Sequence, residues 1–110
     1  MGDIKFVSHR AEVESTTQQA TDRALEIIGG KAESYAKALC PVDTGRLRNS
    51  ITHQQYYENT EIIGTNVEYA PYVELGTRKM AARPYLRPAA ENHGEEYKQV
   101  IVSEYKKAGL

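Results

Sequence analysis

Between residues 8 and 39 the apolar and small side chains recur at steps of three and four: Val13, Thr17, Ala20, Ala24, Ile27 or Ile28, Ala32, Tyr35 and Leu39. That spacing lines one face of a helix and is the strongest periodic signal in the chain. Ser8 is placed to cap its start, Glu12 and Glu14 suit its positive end, Lys37 suits its negative end, and Pro41 stops it. Gly29-Gly30 interrupts the pattern at roughly 1 kcal/mol per glycine relative to alanine, which predicts either a bend or a close backbone contact there. Ahead of the helix, Ile4 and Phe6 alternate with Asp3 and Lys5, the period of a short strand.

Downstream, Pro41-Val42-Asp43-Thr44-Gly45 reads as a turn, with Asp43 or Thr44 set to cap a helical turn through Arg46-Leu47-Arg48-Asn49. The period then changes to two. Residues 50–57 carry Ile51, His53, Gln55 and Tyr57 on one face, residues 60–67 offer Ile62, Ile63 and Val67, and Glu58-Asn59 between them suits a hairpin turn. Two strands alone are marginal in water, so they need the long helix, the N-terminal strand or another subunit. Pro71 opens a short helix through Tyr72-Val73-Glu74-Leu75 that Gly76 ends. From Thr77 to Arg87 the chain carries Arg78, Lys79, Arg83 and Arg87 with no acidic residue, and is expected to be an exposed, mobile loop. Pro88 can open a last helix in which Leu86, Ala90, His93, Tyr97, Val100 or Ile101, Tyr105 and Ala108 share a face, ending at Gly109. The expected fold is α+β: a long N-terminal helix and a C-terminal helix packed on a small, mostly antiparallel sheet, in one domain over residues 1–110.

Composition narrows the function more than the fold. With 14 Lys and Arg against 15 Asp and Glu, the net charge of −1 gives no whole-molecule field that draws the chain to nucleic acid or anionic membrane. Any electrostatic function is therefore local. Cys40 is the single cysteine and has no partner for an internal disulfide. The first fifteen residues hold no apolar run of the secretory kind, so a cytosolic protein is expected. Apolar runs such as Ala38-Leu39-Cys40 fall far short of the ~18 residues that suggest a membrane span.

Several short patterns invite a chemical reading. Asp43-Thr44-Gly45 is the tripeptide of aspartic proteases, and a chain of this size could be half of a homodimer in which each Asp43 gives one carboxylate to a proton-sharing dyad. Its context differs: it follows a helix and Cys40-Pro41 and runs into Arg46-Leu47-Arg48, and long helices are foreign to an all-β protease. A capped turn explains it better. His9, His53 and His93 stand far apart, with no Cys or carboxylate at ligand spacing, so no metal is expected. Nothing near Cys40 orients a base, which makes it a small buried hydrophobe rather than a nucleophile. Gly29-Gly30-Lys31 lacks a preceding strand and the spacing of a phosphate loop. No enzyme activity, cofactor or small-molecule substrate is expected.

Two features remain. The cationic loop can meet DNA phosphates or an acidic partner, or be a solvated loop balanced by Glu74 and neighbouring acids. Tyrosine occurs eight times against one Phe and no Trp, with Tyr56, Tyr57, Tyr69, Tyr72 and Tyr85 crowding the centre, where interface and core roles compete.

Taken together, three stretches are more specific than any one. Residues 40–47 (Cys-Pro-Val-Asp-Thr-Gly-Arg-Leu) with Ser50-Ile51, then 67–77 (Val-Glu-Tyr-Ala-Pro-Tyr-Val-Glu-Leu-Gly-Thr), then 82–89 (Ala-Arg-Pro-Tyr-Leu-Arg-Pro-Ala), closely resemble the head-tail joining family of long-tailed phages. These are the neck or tail-completion proteins named after the tenth gene product of a lambdoid siphophage. The resemblance covers most of the chain. It implies a structural minor virion or assembly protein, present in host cytoplasm during assembly and then at the virion neck or tail top. Its partners would be itself, in a ring suited to a sixfold tail, and the adjoining connector and tail proteins, with DNA in the ring lumen as a lesser contact. Neck, tail-completion and tail-terminator stations stay open, and a prophage regulatory or toxin-like protein is the alternative outside the virion.

The resemblance marks Pro41, Asp43, Thr44, Gly45, Leu47, Ser50, Tyr69, Ala70, Tyr72, Val73, Glu74, Gly76, Thr77, Pro84 and Leu86. These look architectural: Gly45 and Gly76 punctuate turns, while Tyr69, Tyr72, Val73 and Leu75 supply apolar area. Glu74 is free to pair with Arg46 or Arg48, within or between chains. Candidate partner contacts are Tyr69, Tyr72, Arg78, Lys79, Arg83, Tyr85 and Arg87, expected from a segment that a small core has little use for.

Overall fold

The structure, a computed structural model, describes residues 2–42 and 44–110, with side chains from Glu14 onward apart from Asp43. Helix α1 runs from Gly2 to Leu39, followed by α2 (Arg46–Ser50), the hairpin β1 (Thr52–Tyr57) and β2 (Thr60–Gly64), α3 (Ala70–Leu75), α4 (Leu86–Glu91) and α5 (Gly94–Lys107). The fold is α+β, with a long N-terminal helix, a C-terminal helix and a two-stranded antiparallel sheet.

The short strand expected over Asp3–Phe6 is helix instead, and Ser8 lies inside α1 rather than at its cap. Two alternating apolar positions with no neighbouring strand leave the backbone groups unpaired, whereas helix satisfies them locally. The inward row of α1 is small: Ala20, Ala24, Ala32, Ala36 and the following Cys40 are buried, each a multiple of four from the next. Such a row drifts around the axis, so α1 meets different partners along its length. Leu39, expected on this face, is half-exposed, and Cys40 takes the inward position.

On one side, α5 lies antiparallel to α1. The Thr21 and Tyr105 hydroxyls share a hydrogen bond of 2.7 Å near one end, and Lys31 Nζ meets Glu96 Oε1 at 3.0 Å toward the other. Glu104 is buried between them, held by Arg23 at 3.5 Å and Lys107 at 3.3 Å. On another side the hairpin crosses α1 at Gly29. A Cβ there would lie 2.5 Å from His53 Nδ1 and 2.9 Å from Glu61 Cγ, so the glycine pair marks a close contact and the helix continues through it. His53 and Glu61 bond each other at 3.1 Å over that glycine. Glu58-Asn59 closes the hairpin, Asn59 taking φ 57, a left-handed conformation that asparagine tolerates.

Where α1 ends, Ala36, Cys40, Leu47, Ile51, Val67, Ala70, Tyr85 and Ala89 form the core, with Tyr35, Ile63, Tyr69, Val73 and Leu86 packed around it. Ile51 and Tyr85 are its largest fully buried side chains, and burial of Ile51 alone stabilises the fold by about 1.5–3 kcal/mol. The single C-terminal helix expected from Pro88 is two helices, broken at Asn92-His93, and α4 starts at Leu86 with Pro88 in its first turn. Tertiary contacts fix the break: the His93 ring stacks on Tyr35 at 3.6 Å, and Tyr97 donates its hydroxyl to the Ala89 carbonyl at 2.6 Å. Ala89 is therefore the inward alanine, and Ala90 is exposed. Gly109, with φ 82, closes α5: its N–H bonds the Lys106 carbonyl and that of Leu110 bonds the Tyr105 carbonyl, a Schellman cap.

Candidate partner-binding surface

The surface is built where α1 hands over to α2. Pro41 and Val42 leave the helix, and Gly45 turns the chain at φ 83. Thr44 Oγ1 accepts the Arg46 N–H at 3.3 Å within the turn, but Gly45 occupies the cap position of α2 and the side-chain cap expected from Thr44 is not formed; Asp43 lies outside the described residues. The turn buries Leu47 while leaving Arg46 outside. Ser50 closes α2 by donating to the Leu47 carbonyl at 2.6 Å and sharing a 2.5 Å bond with Thr65.

Arg46 does not pair with Glu74. Its guanidinium makes a fork to Glu68 at 3.0 and 2.9 Å and sits over the Tyr69 ring at 5.6 Å. The hydrogen bonds hold the Glu68 carboxyl below its ordinary range and push Arg46 further up. Both are exposed, so the fork aims Arg46 more than it stabilises the fold.

Segment 69–87 is tightly held despite its exposure. Tyr69 precedes α3, Ala70 is buried, and Gly76 at φ 79 ends the helix where a Cβ would strike the Ala82 nitrogen at 2.7 Å. Thr77 and Met80 exchange backbone bonds of 2.8 and 3.3 Å, and Thr77 Oγ1 accepts the Met80 N–H at 3.1 Å. Arg78 and Lys79 stand at the tip of that turn. Beyond it, the Arg83 N–H returns to the Val73 carbonyl at 2.8 Å. Glu74 accepts the backbone N–H groups of Tyr85 and Leu86 at 3.2 and 2.8 Å, so its carboxylate caps α4.

The expected contacts divide four ways, with Tyr69 half-buried against the core beneath Arg46. Tyr72, Arg78, Lys79 and Arg83 are exposed, and Leu75 beside them is 77% accessible. Arg87 is exposed but meets Glu91 of its own helix at 3.2 Å. Tyr85 points inward and is fully buried, with no hydrogen-bond partner for its hydroxyl among the described residues. Its ring belongs to the core. Burial pushes that hydroxyl up to about 12.

A cleft of about 530 Å³ opens between the Pro41–Leu47 turn and the cationic loop. Val42, Leu47, Tyr69, Val73 and Met80 give it an apolar lining, with Arg46 and Arg83 among its walls. The sequence reading had no access to this cleft, since residues from three separate segments make it.

Other candidates do not assemble. Cys40 is buried and its thiol is pushed up by desolvation, the opposite of an activated nucleophile. His53 contacts Glu61 and His93 stacks on Tyr35; the His9 side chain lies outside the described residues. Among the described residues no three His, Cys, Asp or Glu side chains converge as metal ligands, and no helix is long and apolar enough to cross a membrane.

Residues 5–76, about two thirds of the chain, match a family described as "Bacteriophage HK97-gp10, putative tail-component". The chain belongs to the HK97-gp10-like family. It is thus a bacteriophage tail-related structural protein. The matched span of this HK97-gp10-like chain includes α2, the hairpin and α3 and ends at Gly76; the third stretch of the resemblance, 82–89, lies beyond it. Neither curated proteins nor solved structures give a match.

Proposed function

We propose that this HK97-gp10-like protein works at the junction between capsid and tail, as a neck, tail-completion or tail-terminator component. It acts by binding copies of itself in a ring, sixfold to suit a tail, and by contacting the connector on one side and the tail tube on the other. Assembly takes place in host cytoplasm, and the finished station is the virion neck or tail top. The chain works as one domain and catalyses no reaction.

The observation that carries this reading is the cationic segment. Its backbone is pinned by Glu74, Thr77 and the Val73 carbonyl, while Tyr72, Leu75, Arg78, Lys79 and Arg83 stay outside. A surface held in place yet unused by its own core suits protein contacts better than a loose solvated loop.

Complementation of a phage lacking this gene tests the reading. Replacing Arg78, Lys79, Arg83 and Arg87 with Ser is expected to leave the melting temperature nearly unchanged, since exposed charges contribute little to folding. Infectious titre should fall relative to wild type, and the gap should narrow at higher salt, where the wild-type charge contacts are themselves screened. Full titre at all salt concentrations would reject the proposal.

A further inference from the structure

We infer that the hairpin tip of one copy docks into the arginine-walled cleft of the next. Tyr56 and Tyr57, at the end of β1, are 71% and 72% accessible, and Glu58 follows them in the exposed turn. Two adjacent tyrosines held out in solvent at a tight turn serve no core. The cleft is their chemical complement. Its apolar lining, with Val42 and Met80 themselves partly exposed, takes aromatic rings, and at about 530 Å³ it falls in the roughly 300–1,000 Å³ range of sites that enclose small ligands. Arg83 is exposed, with no acidic partner among the described residues, and can meet Glu58 once Tyr56 or Tyr57 is seated.

The tip cannot fill its own cleft. Gln18 Nε2 donates to Asn59 Oδ1 at 3.1 Å, which places the tip beside Gln18, whereas the cleft lies past Leu39. That stretch of helix spans about 30 Å at ~1.5 Å per residue. Donor and acceptor thus sit toward opposite ends of one rigid element, and the contact is head-to-tail between copies. A heterologous contact of this kind closes into a ring when its rotation permits and otherwise grows a filament. Tyrosine and arginine are the residues that most often dominate such contacts, each tyrosine burying about 150–250 Å². DNA fits less well, because phosphates make no use of an apolar lining.

This inference rests on the reading that the chain binds copies of itself. Two full-length variants test it: a tip variant, Tyr56→Ser with Tyr57→Ser and Glu58→Ser, and a cleft variant, Met80→Asp with Arg83→Glu. All five positions are exposed, so thermal melts should match the wild type. In sedimentation velocity over a concentration series, wild-type chain should self-associate, and each variant should do so roughly 30-fold or more weakly. An equimolar mixture of the two should form a one-to-one dimer and nothing larger, since only one intact tip and one intact cleft remain to meet. Wild-type chain that stays monomeric at its solubility limit, variants that associate like wild type, or a mixture that stays monomeric would each overturn the inference. Binding of wild-type chain to a short DNA duplex, lost in the cleft variant and without self-association, would assign the cleft to phosphate instead. Phage titre separates the two readings: variants that still associate but lose titre reject this docking and leave the junction role standing, whereas dissociated variants with full titre confirm the docking and reject a ring at the junction.

Discussion

Glu74 Oε1 accepts the backbone N–H of Leu86 at 2.8 Å, so a carboxylate on α3 caps the first turn of α4 across the loop from Gly76 to Tyr85. The loop is thereby clamped at its far end while its middle stays exposed. The same carboxylate takes the Tyr85 N–H at 3.2 Å and places that ring in the core.

Glu74→Ala should therefore destabilise the chain by about 1–2 kcal/mol, the scale of a lost helix cap. Glu74→Gln, which keeps an acceptor oxygen, should recover most of it. Amide exchange at Tyr85 and Leu86 under native conditions is the sensitive check: protection should drop there before the global melt moves.

Adjacent glycines should respond in opposite directions. Gly30→Ala adds a Cβ 3.9 Å from His53 Nε2, ordinary contact, and should stabilise by up to about 1 kcal/mol through helix propensity. Gly29→Ala drives a Cβ to 2.5 Å from His53 Nδ1 and should destabilise by about 1–3 kcal/mol despite the same propensity gain. Chemical denaturation of both variants compares them, and equal shifts would show that the hairpin does not press on α1.

Removing one hydroxyl should strengthen the core. Tyr85 buries its O–H without a partner among the described residues, so Tyr85→Phe should raise stability by about 1 kcal/mol. In the wild type, absorbance titration should show one tyrosine ionising last, near pH 12, and the variant should lack that step.

The Tyr35–Glu96 hydrogen bond makes stability depend on pH at both extremes. Tyr35 and Lys31 hold the Glu96 carboxyl below its ordinary range, so its contribution is present above that range and is lost as pH falls through the depressed folded value. The same bond, with burial, raises Tyr35, and that contribution is lost as pH climbs past the ordinary tyrosine range. Glu96→Gln should lower the melting temperature at neutral pH and flatten the acid limb of its pH profile. Tyr35→Phe should soften both limbs, and unchanged limbs would show that the contact is not populated.

The sequence alone determined those features that depend on a residue and its near neighbours. The period of α1, the stop at Pro41, the Glu58-Asn59 turn, α3 ending at Gly76 and the run of exposed cations were legible because helix hydrogen bonds, φ restrictions and local charge act over a few positions. Family-marked residues were legible for the same reason: Gly45 and Gly76 carry the positive φ that their turns require. Tertiary structure decided the rest. Whether Gly29 bends or touches depended on where His53 arrived, and the break at Asn92-His93 depended on Tyr35 being there to stack. Tyr85 and Tyr57 are the same residue type, one buried and one in solvent, because capping by Glu74 turned one inward and a hairpin end carried the other out. Glu74 had Arg46 and Arg48 as candidate partners in the sequence and paired with neither, since the loop after α3, folded back by the Arg83 N–H bond to the Val73 carbonyl, brought two backbone N–H groups at the start of α4 to its carboxylate. Contacts between residues tens of positions apart are set by the free energy of the whole packed core, which local pattern does not encode.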